Sequence, residues 1–111
     1  MRRRRNSARY ELPIGIVDEV KGICRDYKRK RAALSCGEVS GEVKALYERY
    51  NEAVNNALLS IEPELRAIIL DDVIDKRGYY KSLATAYIAH RGYESRKCKL
   101  IYQIAVNLSL I

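Results

Sequence analysis

The stretch "GYESRKCKLIYQIAVN", Gly92 to Asn107, decides how the chain reads. It opens on a glycine, sets Arg96, Lys97 and Lys99 within four residues, then turns apolar. Projected as a helix at about 100° per residue, Cys98, Ile101, Tyr102, Ala105 and Leu108 share one face, with Ile104 beside them. Arg96, Lys99, Gln103 and Asn107 form a polar line on the other, with Leu100 among them. Arginine and lysine match guanine edges, and glutamine and asparagine match adenine edges. The spacing predicts a helix starting near Glu94 or Ser95, either of which can cap its first amides. Gly92 reads as the left-handed cap of the helix before it. Helix, tight glycine turn and helix with an outer polar line is the helix-turn-helix pattern.

Around this stretch the chain has 111 residues, enough for one domain, and 48% are apolar, enough for a core. Nine tyrosines and no Phe or Trp mean that tyrosine supplies the aromatic bulk, with hydroxyls expected at the core's edges. The net charge of +7 is uneven. Residues 1–34 carry eleven Lys/Arg against four acids, residues 35–78 five against nine, and residues 79–111 five against one. Basic ends flanking an acidic middle point to contact with a polyanion. Cys24, Cys36 and Cys98 form no CxxC and His90 is the single histidine, so a zinc site is not expected. Free thiols fit a reducing cytosol. Cys24 and Cys98 read as small buried hydrophobes. Asp71, Asp72 and Asp75 lack the glycine-containing loop of a calcium site. No phosphate loop or nucleophile–base order appears, so neither an enzyme nor a cofactor is expected. No apolar run reaches the roughly 20 residues of a membrane helix.

No segment alternates with the period of a strand, and the expectation is an all-α, five-helix single domain. Residues 1–11, rich in arginine, read as a basic flexible arm, and residues 12–111 as the helical domain. Within it, residues 12–61 form an N-terminal helical pair and residues 62–111 the helix-turn-helix part. The first helix is expected from about Pro13 to Leu34, on the stripe Ile16, Val17, Val20, Ile23, Cys24 and Tyr27. It ends in the basic run "RDYKRKR", which also suits a helix C-terminus. "SCGEVSGE" (Ser35 to Glu42) is a break. A second helix follows from about Ser40 to Ser60, with Val43, Leu46, Tyr47, Tyr50, Ala53, Val54, Ala57, Leu58 and Ile61 on its stripe. The third runs over "IEPELRAIILDDVIDKRG" (Ile61 to Gly78), with Pro63 in its first turn, and the fourth over about Tyr79 to His90.

The string "ALLSIEPELRAIILDDVIDKRGYYKSLATAYIAHRGYESRKCKLIYQIAVNLSLI" resembles a diverged fourth region of bacterial sigma factors. Taken with "IVDEVKGICRDYKRKRAAL", the whole chain is similar to small phage regulators of the RinA/ArpU type. Its "YIAHRG" connection is longer than the usual sigma-type turn. The resemblance implies a sequence-specific DNA-binding regulator of late or lytic phage genes, working in the cytoplasm of a bacterial host. Arg96, Lys99, Gln103 and Asn107 would read bases. Ser95, Lys97, Arg91 and Lys81 would hold phosphates. Arg25, Lys28, Arg29 and Arg31 would extend the phosphate footprint. Double-stranded DNA is the expected partner, RNA polymerase a second candidate and a homodimer a candidate assembly. Two other functions compete: a helical protein-interaction module, and a small phage packaging protein.

Overall fold

The computed structural model describes residues 11–75 and 88–111. Five α-helices cover them: α1 Ile14–Arg25, α2 Tyr27–Cys36, α3 Gly41–Leu58, α4 Pro63–Asp75 and α5 His90–Asn107. The expected all-α, five-helix domain is therefore present, with a different division of the chain. The single long first helix is two helices meeting at Asp26, and the fourth expected helix, with Lys81 and Leu83, lies outside the described residues. None of the described helices is long and apolar enough to cross a membrane.

The break at Asp26 has a packing reason. The α1 helix lies against α4 and α5, whereas α2 lies against α3. One straight rod could not serve both. At the bend, the Asp26 amide still donates to Gly22 O and its carbonyl still accepts from Lys30 N, so the chain bends without leaving backbone groups bare. The α2 helix closes on Gly37, which is left-handed at φ 71°, and Glu38 N donates to Ala33 O at 3.0 Å. This is a Schellman closure, and it favours glycine at that position. Gly41, at φ 60°, starts α3. The C-terminus of α5 closes in the same way around Ser109, at φ 58°, with Leu110 N donating to Ala105 O.

One core joins the helices: Val20, Cys24 and Tyr27 from the first pair, Val54 and Ala57 from α3, Leu65, Ile69 and Val73 from α4, and Tyr93, Leu100, Ile101 and Ile104 from α5. The two parts expected on either side of residue 61 thus share it. The α5 helix packs on α1, α3 and α4, which makes it the centre of the bundle. Burial of the Cys24 thiol pushes its pKa up to about 12, so it stays protonated at neutral pH.

Four expectations about side chains need correction. The stripe of α3 outruns the core: Val43 and Leu46 are 48% and 44% exposed, because α2 covers only part of that face. Tyr93 is wholly buried and does not sit at the edge of the core. Cys98 is half-buried. Gly92 caps nothing: α5 begins at His90, two residues earlier, on the extended Ala89 and without a side-chain cap from Glu94 or Ser95. The small size of Gly92 matters for another reason. A Cβ there would stand 3.0 Å from Arg96 Nη1.

Candidate nucleic-acid interface

The apolar face of α5 is turned from the expected one. Leu100 and Ile104 are fully buried at its centre, while Cys98 and Tyr102 move to the margin. Leu100 is a core residue, and the polar line that flanks it is drawn against α3 and the α3–α4 corner. Arg96 forks onto Glu62, with Nε donating to Oε1 at 2.8 Å and Nη2 to Oε2 at 2.5 Å, and its Nη1 donates to Gly92 O at 3.1 Å. Lys99 Nζ lies 3.4 Å from Ser60 O. Gln103 donates to Asn107 Oδ1 at 3.1 Å, and Asn107 donates to Ala53 O at 3.0 Å. Arg96, Lys99 and Asn107 thus reach neighbouring elements of the bundle, whereas Gln103 bonds a residue of its own helix. The helix expected to precede them in a helix-turn-helix lies outside the described residues.

The expected phosphate contacts separate. Lys97 Nζ sits 3.0 Å from Asp72, whose side chain is 1% exposed, so this lysine neutralises a buried acid. His90 and Arg91 stand exposed at the start of α5, where His90 lies 3.6 Å from Glu94. Arg29 forks locally onto Asp26, at 2.5 and 2.6 Å, and reaches the Tyr47 hydroxyl at 3.3 Å. The Arg29 hydrogen bonds, joined by Lys30, bring the Asp26 carboxyl down to about 2. Lys30 itself is buried over the Tyr50 ring, 4.5 Å from its centroid. Lys28 stands in the open, its side chain 63% exposed and 3.4 Å from Asp71. Arg31 lies over the Tyr27 ring at 5.4 Å. Among the described residues, neither Arg25 nor Arg31 has a carboxylate partner.

Two of these groups meet through a residue that the sequence reading passed over. Lys28, Arg31 and Arg66 line an open pocket of about 320 Å³ together with Asp71. Arg66, Arg96 and Lys99 line a second of about 460 Å³ together with Glu62, Ser60 and Ser95. Arg66 is common to both, and its Nε is fixed by Leu58 O and Ile61 O, each at 2.8 Å. A track of five cations therefore crosses from α2 over α4 to α5: Lys28, Arg31, Arg66, Arg96 and Lys99. Two carboxylates interrupt it. The signal for Arg66 was a lone arginine inside "EPELR", in the acidic middle of the chain. Gln103, Asn107, Lys97 and Arg91 line neither pocket.

A track of cations interrupted by two acids suits a chain of phosphates, since each cation that meets a phosphate releases a condensed counterion. No protein-family model, curated protein or solved structure matches this chain.

Proposed function

We propose that the protein is a DNA-binding transcriptional regulator that grips the duplex backbone along the track Lys28–Arg31–Arg66–Arg96–Lys99. The single observation behind this reading is the sharing of Arg66 between the two basic pockets, which joins the cations of α2 to those of α5. Phosphate contacts fix register and supply affinity, while base edges supply specificity. Base reading by Gln103 and Asn107 would require both to leave their present partners. The track therefore supports backbone binding more directly than sequence readout. The late or lytic gene context belongs to the resemblance alone.

The test is a titration of duplex DNA by the full chain at several salt concentrations. Five cations on phosphates give a log–log salt slope of about −4 to −5. A slope near zero, or no binding at low salt, would overturn the proposal. A second reading, a helical protein-interaction module, draws on the half-exposed Val43 and Leu46 of α3. It gains ground if Val43→Ser with Leu46→Ser abolishes the regulator's effect on a promoter yet leaves DNA affinity unchanged.

A further inference from the structure

The pocket between the α3–α4 corner and the first turns of α5 holds three cations and one acid. Arg66, Arg96 and Lys99 line it together with Glu62, Ser60 and Ser95, and Arg96 holds the Glu62 carboxylate. The α4 helix starts there at Pro63, so the positive end of a 13-residue helix adds to the field. We propose that this pocket is a phosphate subsite for duplex DNA, that the Glu62 carboxylate occupies it in the free protein, and that a backbone phosphate displaces Glu62 on binding. The proposal rests on the DNA-binding reading above and gives Glu62 a role within it, that of a built-in competitor.

The geometry carries the exchange. A guanidinium fork that holds both oxygens of a carboxylate fits two oxygens of a phosphodiester equally well. The Arg96 fork is already aimed, because Gly92 O holds its third nitrogen and any side chain at position 92 would crowd it. Glu62 is the partner more open to solvent: its side chain is 44% exposed, against 28% for Arg96. Lys99 makes a long contact to Ser60 O and acts on Glu62 by charge alone, which leaves its ammonium able to turn toward an arriving anion. The pocket also favours negative charge on Glu62 itself. The Arg96 hydrogen bonds, with help from Glu62's own amide, bring that carboxyl down to about 2. A displaced Glu62 would remain close to the phosphate and repel it, so the acid limits affinity even after it has moved.

The experiment measures full-length protein binding to a random-sequence duplex, comparing Glu62→Gln with Glu64→Gln. Both remove one negative charge from the start of α4, but Glu64 is exposed and does not line the pocket. Glu62→Gln should tighten binding about fivefold at roughly 50 mM salt, the scale of one competing surface ion pair. It should also steepen the salt slope by about one. Glu64→Gln should do clearly less, and Lys99→Ala added to Glu62→Gln should cancel the gain. Equal gains from the two glutamines, or none from Glu62→Gln while the wild type binds, would overturn the subsite and leave the DNA reading standing. If neither the wild type nor Glu62→Gln binds duplex, the DNA reading itself fails. A parallel titration of Glu62→Gln with inorganic phosphate, read on the Arg96 Nε–H resonance, separates the two sources of phosphate. A shift there without duplex binding would assign the pocket to a free anion and overturn the DNA occupant.

Discussion

The helices α2 and α5 both carry a cluster of cations, α2 in its first turns and α5 near its middle, and they spend it differently. The α2 helix lies at the rim of the bundle and packs on α3. Its arginines are held first by near neighbours, Arg29 by Asp26 three residues away and Arg31 by the Tyr27 ring four residues away, and the longer reaches, Arg29 to Tyr47 at 3.3 Å and Lys28 to Asp71 at 3.4 Å, are looser. The α5 helix lies at the centre. Its cations are held by residues distant in sequence, Arg96 by Glu62 thirty-four positions away and Lys97 by the buried Asp72. Position in the bundle, more than composition, decides whether a basic helix is a solvated surface or a seam between neighbours.

The sharpest test of that contrast is in the core. Leu100→Ala should cost about 3–5 kcal/mol in urea unfolding, because a fully buried leucine at the meeting of several helices leaves a cavity. Leu34→Ala, on the half-buried edge of α2, should cost far less. Comparable losses would mean that α5 is no more central than α2. Next in size is the seam. Lys97→Met should destabilise the fold by about 2–3 kcal/mol, since it removes a cation 3.0 Å from the buried Asp72 carboxylate, although the lysine end of the pair is open enough to moderate the loss. If Lys97→Met is neutral, the pair is ornamental. Smaller again is Gly37→Ala, expected to cost about 1–2 kcal/mol for an L side chain in left-handed backbone.

The smallest effect is in acid. Glu62 and Asp26 both titrate near 2 in the fold, below their ordinary 4.5 and 3.8. Folded protein thus binds these protons less readily than unfolded protein does. Their contribution is complete above about pH 4.5 and drains away as the pH falls toward 2. Unfolding measured from pH 5 to 2 should show a loss that Glu62→Gln and Asp26→Asn each reduce. Glu62, in a tertiary pair, should account for more of it than Asp26 in a local one. A greater share for Asp26 would reverse the comparison.

How much of this could be read in the sequence follows the same division. Helix content and most ends were legible, because Pro13, Ser40, Pro63 and the two glycines of "SCGEVSGE" act locally. The break at Asp26 was not, since it answers to which helices lie alongside. Gly92 misled because a glycine after a helical run signals a stop, whereas here it leaves room for Arg96 in the first turn of α5. The face of α5 was misjudged because Cys98 and Tyr102 count as apolar in a projection, and only packing on three sides draws Leu100 to the centre. Among the site residues, Arg96 and Lys99 read in the sequence as base contacts, and Lys28 and Arg31 as an extension of the phosphate footprint. The geometry places them on one track. Arg66, which joins them, had no pattern of its own to announce it.

The central claim is that this track meets DNA phosphates, and paired salt titrations of Arg31→Ala and Lys44→Ala with duplex DNA test it most directly. Both changes remove one exposed cation, and Lys44, on α3, lines neither basic pocket. Arg31→Ala should lower affinity equally for every sequence and reduce the salt slope by about one, while Lys44→Ala leaves the slope unchanged. Equal slopes for Arg31→Ala, Lys44→Ala and the wild type would contradict the account, for the track would then be no more than a charged surface.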